Sequence, residues 1–463
     1  MTANASPTLL ISSLKPALLE GMAQTVTVLV RVQAPSAPPA PPEDGTASAA
    51  PVHRRPKTQV ALVLDRSGSM AGEPLREAVR CAKLMIDRLA PEDLASLVVF
   101  DHETKVLVPA SPARQRDLFH HALDRIHAGG STNLYGGWSA GLATLQPQAA
   151  SDVLSRVLLL SDGNANVGEI TDPAVIAAQA ASAAGVGIST STYGLGHRFN
   201  ESLMVDMARL GGGNTYYGEM AADLFERFAE EFDLIDQLCA RRVRVTIGAP
   251  EGVTVRVRND QPAESRDGFL EVTLPDLAYG SEAWLLVDLE VSAAVASSGI
   301  ATLLQVGATA LTPAGVPLPI SDSTFTLPTL GPAAFHVLLA DPLVTSRKAE
   351  LDAADLLKQA RQAAGYGDWG LIDQLIGQAR ERFADQPWLS ETLTHMAELA
   401  RSRDQSRFSK EALYSTVKFS TRLADLNEAT QDLLEEDEKS RFLRRRAAQG
   451  KTQIEPRSGS DRR

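Results

Sequence analysis

The sequence is poor in cysteine: Cys81 and Cys239 are the two thiols among 463 residues. So few thiols exclude a framework of disulfides and favour a reducing compartment. A single bridge between the two remains open from the sequence. Because each cysteine lies in an apolar helical pattern, we expect two buried thiols instead.

Long apolar stretches are also missing. No uninterrupted apolar run approaches the roughly 20 residues that a membrane-spanning helix needs. The first residues, MTANASPTLLISSLKPALLEG, lack the basic start and the sustained apolar run of a signal peptide. We therefore expect a cytoplasmic protein that does not associate with a membrane.

An excess of basic residues is absent as well. The chain has 57 acidic and 45 basic residues, which gives a formal net charge of -12. Such a chain is not attracted as a whole to nucleic acid or to an anionic membrane. Its hydrophobic content of 44% is ordinary for a globular protein, and its length allows two or three domains.

Signatures of catalysis are missing too. The eight histidines show neither zinc-ligand spacing nor the setting of a base beside a nucleophile. Phosphoryl transfer would need an aspartate nucleophile or a glycine loop with a lysine that cradles phosphate. The glycine-containing stretches GGSTN and GLGHRF supply neither. We therefore expect that the chain is not an enzyme and has no catalytic residues.

Strands alternate with helices between residues 57 and 237. The stretch QVALVL (59–64) is apolar on both faces, which is typical of a central parallel strand. The link DHE between two later strands is too short for a crossover, so that pair must be antiparallel. This pattern predicts an α/β fold with a doubly wound, mostly parallel six-stranded sheet of the Rossmann-like order 3-2-1-4-5-6.

Short alternating segments between Gly, Pro and Asp turns follow in residues 238–330, and they predict a β-sandwich domain. Residues 1–33 contain an isolated strand pattern, TVTVLVRV, whose partner we expect in this sandwich. Residues 34–56 are rich in Pro and Ala and predict a linker. The sandwich would therefore be discontinuous, with the α/β domain inserted into it.

Apolar stripes with helical spacing continue over residues 342–446, for example Leu371, Leu375 and Ala379. They predict a C-terminal helical region of three or four helices. Residues 447–463 are basic and polar, and we expect a disordered tail. None of these segments contains a motif that indicates a particular chemistry.

Small oxygen-bearing side chains crowd the end of the first strand of the α/β domain. Asp65, Ser67 and Ser69 alternate in LDRSGSM, so an extended turn can direct all three toward one point. Thr132, in GGSTN, and Asp162, in LLLSDGNAN, add oxygens from other loops at the same sheet edge. These ligand types suit a small hard cation such as Mg²⁺. The alternative is an empty capping turn that satisfies local backbone groups.

These five residues, in this order and context, resemble the metal-ion-dependent adhesion site of the von Willebrand factor type A domain. The resemblance covers roughly residues 57 to 237 and is greatest to an intracellular bacterial branch of that family. It implies that the two serines and the threonine bind Mg²⁺, or Mn²⁺ or Ca²⁺, directly, whereas the aspartates usually act through water. It also implies that an open coordination position accepts a Glu or Asp carboxylate from a partner protein.

The resemblance implies a Mg²⁺-dependent protein–protein interaction module with an unidentified acidic partner. An alternative is that the chain is a subunit or adaptor of an AAA+ ATPase remodelling machine. Its partner would then be that ATPase. A cell-surface adhesion protein is a weaker alternative, because no export signal is recognised. Arg66 stands between Asp65 and Ser67; it could attract an acidic ligand, but we expect it to lie outward in solvent.

Overall fold

The structure is a computed structural model. It describes residues 6–38, 56–145, 152–161, 165–195, 200–218, 232, 235–421 and 424–425. Most of the predicted linker, the predicted tail and the last part of the predicted helical region lie outside the described residues.

A central sheet follows three N-terminal strands, and helices flank it. The N-terminal strands are β1 (Thr8–Ser13), β2 (Leu18–Leu19) and β3 (Gln24–Gln33). The strands of the central sheet are β4 (Lys57–Asp65), β5 (Leu94–Phe100), β6 (Thr104–Pro112), β7 (Val153–Ser161), β8 (Ile188–Leu195) and β9 (Gly212–Gly218). The helices described in this domain are α1 (Glu73–Arg88), α2 (Arg116–Leu123), α3 (Leu134–Leu145), α4 (Pro173–Gly185) and α5 (Glu201–Leu210).

The central sheet has the strand order β6-β5-β4-β7-β8-β9. The pair of β5 and β6 is antiparallel, and the other neighbours are parallel. In order of the chain this is 3-2-1-4-5-6, so the predicted doubly wound topology is confirmed. The carboxyl ends of β4 and β7 therefore lie side by side at the switch point of the sheet, where ligands bind in such folds.

Strand β4 is buried on both of its faces. Val60, Leu62 and Leu64 belong to the core on one face, and Ala61 and Val63 belong to the core on the other. This explains why the strand reads as a continuous apolar run and not as an alternating pattern. Helices on both faces of the sheet exclude water from β4. Its last residue, Asp65, lies at the carboxyl edge of the sheet, next to the loops, and is itself buried.

Helix α3 packs directly against this sheet through two glycines that lie four residues apart. A Cβ atom on Gly137 would lie 2.3 Å from the ring of Phe100, and one on Gly141 would lie 2.4 Å from Cγ2 of Val63. Residues at i and i+4 share a helix face, so this face is the one that touches β4 and β5. The loop before α3, which contains Thr132, is thereby held against the carboxyl edge of the sheet.

The strands of the second domain form two packed sheets. They are β10 (Leu238–Gly248), β11 (Val253–Val257), β12 (Ala263–Arg266), β13 (Phe269–Thr273), β14 (Leu277–Ala278), β15 (Ser281–Val291), β16 (Ile300–Leu311), β17 (Pro317–Pro319) and β18 (Ser323–Leu330). One sheet has the order β1-β3-β15-β11, and the other has the order β12-β13-β10-β16-β18-β2. Their inner faces share one apolar core.

Strand β3 lies beside β15, although more than 240 residues separate them in the sequence. The two strands pair antiparallel from Gln24 opposite Val291 to Gln33 opposite Glu282. The alternating valines of β3 enter the core of the sandwich, since Val28 and Val32 are fully buried. The α/β domain is therefore inserted between β3 and β10 of the sandwich.

Helices make up the C-terminal part of the described chain. They are α6 (Pro332–His336), α7 (Pro342–Gly365), α8 (Trp369–Arg382), α9 (Pro387–Ser402) and α10 (Gln405–Thr421), and the short strand β19 (Ala424–Asp425) follows them. The last four helices share their own apolar core. Strand β19 pairs with the start of β15 at Ser281 and Glu282, so the chain returns to the sandwich after the helices.

Helix α7 covers the outer face of the sheet that contains β3 and β15. Val344 and Leu351 pack there against Leu29, Trp284 and Leu286. The face is not wholly apolar, because a buried arginine of α7 lies within it.

That arginine, Arg347, is 1% exposed and is surrounded by compensating groups. Its guanidinium lies 2.8 Å from Glu350 and 3.5 Å from Glu282, and its Cζ lies 5.0 Å from the ring centroid of Trp284. Both carboxylates are also buried, and Glu282 lies 3.2 Å from a second arginine, Arg31. The buried charges therefore compensate one another within a cluster of two arginines and two glutamates.

The helices also contact the rest of the molecule through ion pairs and a hydrogen bond. Arg258 of the sandwich lies 3.1 Å from Asp352 and 2.8 Å from Asp355 of α7. Arg361 of α7 donates a 2.9 Å hydrogen bond to Ser202 of α5 in the α/β domain. The helical region therefore touches both of the other domains.

The two cysteines are free and buried, so the predicted pair of buried thiols is confirmed. Burial raises the pKa of each thiol, Cys81 and Cys239, to about 12. Both are therefore neutral and unreactive at physiological pH. Within the described residues, no helix combines the length and the apolar character required to span a bilayer.

We predict that Arg347→Met destabilises the chain by about 3–5 kcal/mol, because it removes the buried cation that lies 2.8 Å from the Glu350 carboxylate and leaves Glu282 with Arg31 as its remaining arginine. Denaturation followed by circular dichroism measures this loss. The matched control is Arg380→Met, which removes an exposed arginine of α8 and should change stability by less than about 0.5 kcal/mol. Equal losses in the two variants would contradict the role of the buried cluster.

Candidate metal site

The predicted ligand turn begins at the last residue of β4. The carboxylate of Asp65 accepts a 2.8 Å hydrogen bond from the backbone N–H of Ser67, which curls the chain back over the strand end. The hydroxyls of Ser67 and Ser69 lie 3.1 Å apart. Met70, which closes the turn, is fully buried and anchors it to the core. The turn therefore brings three oxygen-bearing side chains together at the edge of the sheet.

The loop that contains Thr132 is joined to this turn by its backbone. The N–H of Gly68 donates to the carbonyl of Gly130 at 3.0 Å, and the N–H of Gly129 donates to the carbonyl of Arg66 at 2.8 Å. Gly130 has φ +76°, and a Cβ atom there would lie 2.2 Å from Nδ1 of His102. A larger residue would be strained at this position and would push the two loops apart.

The end of β7 and the loop after it form hydrogen bonds with both of the other segments. The hydroxyl of Ser161 donates a 2.6 Å hydrogen bond to the second carboxylate oxygen of Asp65. Asn166 accepts from the N–H of Thr132 at 3.1 Å, and its own N–H donates to the carbonyl of Thr132 at 3.3 Å. Thr132, which is 3% exposed, is thus paired through both of its backbone groups.

The structure brings four of the five predicted ligand residues to one edge of the sheet, namely Asp65, Ser67, Ser69 and Thr132. Asp162 lies outside the described residues. Ser161, which directly precedes it, bonds to Asp65, and Asn166, four residues after it, bonds to Thr132. The assignment of Asp162 as a ligand stays a prediction from the sequence.

A second aspartate lies near the site and was missed by the sequence analysis. Asp101 directly follows β5 and is 5% exposed. Its carboxylate lies 3.1 Å from the guanidinium of Arg66, and its carbonyl accepts from the N–H of Asn133 at 2.7 Å. Its position at the carboxyl end of a strand beside β4 is a signal that could have revealed it.

The expectation that Arg66 points into solvent is wrong. Its side chain is only 24% exposed and lies along Asp101. The position of Arg66 in the turn would allow its side chain to extend into solvent. The buried carboxylate of Asp101, at the end of the neighbouring strand β5, attracts the guanidinium instead. The positive charge of Arg66 is therefore partly compensated within the protein before any ligand arrives.

The electrostatic state of Asp65 follows from its burial. Burial raises the pKa of Asp65 above its ordinary value, although the hydrogen bonds from Ser161 and Ser67 oppose this rise. Both donors are neutral groups, so they do not balance the charge of the ionised carboxylate. A divalent cation close by would stabilise the ionised form.

The donor set matches a small hard cation. It offers carboxylate and hydroxyl oxygens, which Mg²⁺ prefers, and neither thiolate nor imidazole. In the described part of the chain no three His, Cys, Asp or Glu side chains cluster as a metal site. A site at this edge therefore depends on the hydroxyls of Ser67, Ser69 and Thr132 in addition to the carboxylates.

Comparison with known proteins identifies the domain that carries these loops. Residues 59–228 match the family model of the von Willebrand factor type A domain. The matched region begins in β4 and includes all five predicted ligand residues. The resemblance stated from the motif is thereby supported by the whole of the α/β domain.

Two bacterial relatives match parts of the chain. An uncharacterized protein of Synechocystis is 26% identical over 246 residues, which cover 51% of this chain and 58% of that protein. The uncharacterized protein YfbK of Escherichia coli is 31% identical over 168 residues, which cover 35% of this chain and 28% of that protein. The chain thus spans little more than half of the first relative and about a quarter of the second.

A solved structure shares the fold over a greater length. The von Willebrand factor type A protein from Catenulispora acidiphila superposes with a TM-score of 0.69 at 14% sequence identity. The superposition covers 91% of this chain and 98% of that one. The likeness therefore extends beyond the α/β domain, and at this identity it concerns the fold alone.

We predict that Asp65→Asn raises the melting temperature of the metal-free chain at pH 7. The asparagine can accept from the N–H of Ser67 and donate to Ser161, whose hydroxyl then accepts, so both hydrogen bonds persist without a buried charge. A gain of 1 kcal/mol corresponds to roughly 2–4 °C in a domain of this size.

The pH dependence gives the sign of the effect. Because the pKa of Asp65 is raised in the folded state, the cost of its charge is present above that pKa and disappears as the pH falls below the unfolded value of about 4. The gain in melting temperature should therefore shrink on acidification in EDTA. A variant that is less stable at pH 7 would contradict this account.

Proposed function

Because residues 59–228 match the family model of the von Willebrand factor type A domain, we propose that the chain is a Mg²⁺-dependent protein–protein interaction module. One observation carries the proposal: the turn with Asp65, Ser67 and Ser69 is hydrogen-bonded directly to the loops on both sides of the switch point. One of these connections carries Thr132, and the other begins at Ser161, directly before Asp162, and includes Asn166. We propose that these five residues form a complete metal-ion-dependent adhesion site.

The proposed roles follow from charge. Ser67, Ser69 and Thr132 would bind the ion directly with neutral oxygens, and Asp65 and Asp162 would act mainly through water. Neutral direct ligands leave a divalent ion with a strong attraction for one more anionic oxygen. The ligand that best supplies it is a Glu or Asp carboxylate of a partner protein.

The proposed site opens to solvent on one side. Asp65 and Ser67 are buried at 0% and 1% exposure, whereas Ser69 is exposed at the rim. A partner would thus reach the ion from the side of Ser69, with Arg66 and Asp101 at the neighbouring strand end. The proposal assigns no reaction to the chain.

The setting of this activity is also part of the proposal. Two free buried thiols agree with a reducing compartment, so we place the chain and its partner in the cytoplasm. The two relatives described above are bacterial proteins, which supports assignment to the bacterial branch of the family. Their names specify no partner, and the acidic partner is inferred from the chemistry of the site.

Mg²⁺ should raise the melting temperature of the full chain, because an ion that binds only the folded state stabilises it by mass action. At a concentration of about 100 times Kd the gain is roughly 2.7 kcal/mol. Differential scanning calorimetry in Mg²⁺ and in EDTA measures it. Asp65→Asn and Thr132→Ala should lose the response.

Thr345→Ala is the matched control for this measurement, since Thr345 is an exposed threonine of α7 far from the sheet edge in sequence and in fold. It should keep the full response to Mg²⁺. A response that survives in Asp65→Asn would mean that the ion binds elsewhere.

The partner should be retained by the immobilised chain in Mg²⁺ and released by EDTA. Thr132→Ala should lose the same protein, because it removes a direct ligand of the ion and leaves the fold intact. Affinity capture with quantitative mass spectrometry compares the proteins retained by the wild type and by Thr132→Ala, each in Mg²⁺ and in EDTA. A captured set that changes neither with EDTA nor with the variant would refute a metal-dependent interaction.

A further inference from the structure

An arginine and an aspartate form an ion pair beside the ligand turn. Asp65 is the register partner of Phe100 across the parallel strands β4 and β5, so Arg66 and Asp101 are the next residues along the two strands. The backbone N–H of Arg66 donates to the carbonyl of Phe100 at 2.8 Å, which continues the strand pairing into the turn. The guanidinium of Arg66 and the carboxylate of Asp101 then meet at 3.1 Å.

The side chain of Arg66 leaves the turn in a different direction from those of the proposed ligands. The Asp65 carboxylate accepts from the N–H of Ser67, and the hydroxyls of Ser67 and Ser69 lie 3.1 Å apart. Successive side chains of extended backbone point to opposite sides. Arg66 therefore lies along the neighbouring strand end, against Asp101, and is not directed into the group of ligands.

Asp101 is fixed in place by the backbone around it. One of its carboxylate oxygens accepts from the N–H of Glu103 at 2.8 Å, and its own N–H donates to the carbonyl of Glu103 at 3.0 Å. Its carbonyl accepts from the N–H of Asn133, the residue after Thr132, at 2.7 Å. The residue is 5% exposed. A buried carboxylate held in this way determines where the more mobile guanidinium of Arg66 comes to rest.

The two charges of the pair largely cancel each other. Among the described residues, Asp101 is the carboxylate that contacts the guanidinium of Arg66. The other oxygen of Asp101 lies 3.2 Å from Nδ1 of His102, but the side chain of His102 is 59% exposed and its interaction is weakened by water. The pair therefore adds little net charge to the edge of the sheet as long as both members are present.

The charge of Asp101 acts on the proposed metal site. Burial raises the pKa of Asp65 most, and the negative charge of Asp101 raises it further. Neighbouring strands lie about 4.8 Å apart and consecutive Cα atoms about 3.8 Å apart, so both charges of the pair lie on the order of 10 Å from an ion at Asp65. At that separation one unit charge changes the affinity for a divalent cation by about tenfold in dilute salt.

We propose that Asp101 is a positioning residue of the metal site: it holds the guanidinium of Arg66 away from the ion and cancels its charge, and the pair thereby sets the affinity for the divalent cation. This inference rests on the proposed function and adds to it the residues that tune the site. With the pair neutral, Asp65 and Asp162 balance the two charges of the ion. The bound ion then keeps its attraction for a carboxylate of the partner.

The test is isothermal titration calorimetry of the full chain with Mg²⁺ alone, in dilute salt. Asp101→Asn should bind Mg²⁺ about tenfold more weakly, because the positive charge of Arg66 is left without its partner. The asparagine can still accept from the N–H of Glu103, and the backbone contact to Asn133 is unchanged. Arg66→Gln should bind Mg²⁺ about threefold to tenfold more tightly, because the negative charge of Asp101 then acts on the ion alone.

The double variant separates charge from structural damage. Arg66→Gln with Asp101→Asn removes both charges, so its Kd for Mg²⁺ should return to within about twofold of the wild type. A residue that only supports the loops would weaken binding in both single variants and in the double variant. The opposite changes of the single variants should also shrink at high KCl concentration, since salt screens charges at this separation.

Two substitutions of the same kind on the exposed surface of α8 are the matched controls. Arg380→Gln and Asp373→Asn remove one charge each from positions that lie in a different part of the chain. Each should change the Kd for Mg²⁺ by less than about twofold, because exposed charges far from a site are screened.

Two results would overturn the inference and leave the proposed function standing. They are an Arg66→Gln variant that binds Mg²⁺ no more tightly than the wild type, and a double variant that remains as weak as Asp101→Asn. A wild type that binds no Mg²⁺, or whose binding survives Thr132→Ala, would instead refute the metal site itself and the inference with it. The two failures are therefore distinguished within one set of titrations.

Discussion

The burial of one carboxylate organises the edge of the sheet. Asp65 ends a strand that is covered on both faces, so its charge is withdrawn from water and must be met by donors of the protein. Those donors come from its own turn, through Ser67, and from the end of the adjacent strand, through Ser161. The loop of Thr132 is then tied to both sides by backbone hydrogen bonds. The Asp65 carboxylate, whose burial costs free energy, is thus held at a place where a bound cation would compensate its negative charge.

Close packing away from the site supports this arrangement. The glycines of α3 let the helix approach β4 and β5, and Thr132 precedes that helix by two residues. Helix α7 covers the outer face of the sheet that contains β3 and β15, and a buried cluster of charges around Arg347 lies within this contact. The same helix reaches α5 through Arg361. The three parts of the chain are therefore joined by contacts that combine apolar burial with specific charges.

Much of the α/β domain could be predicted from local patterns. The apolar run of β4, the short link between β5 and β6, and the two aspartates after strands predict the topology and the edge at which the ligands gather. The pair of Arg66 and Asp101 could not be predicted in this way. The direction of the Arg66 side chain depends on the carboxylate of Asp101, which follows the next strand and lies 35 residues later in the chain. The local sequence around Arg66 does not show that these two groups meet in space.

The sequence by itself determined the periodicities, the kinds of oxygen donors and the order of the strands, because each depends on short-range sterics and on which side chains can leave water. The tertiary structure alone decided which groups meet: Asn166 with the backbone of Thr132, Arg66 with Asp101, and Lys83 of α1 with Asp124 at the end of α2. Such contacts join residues that are distant in the chain. They depend on how closely the elements pack, which is a property of the assembled core and not of any one segment.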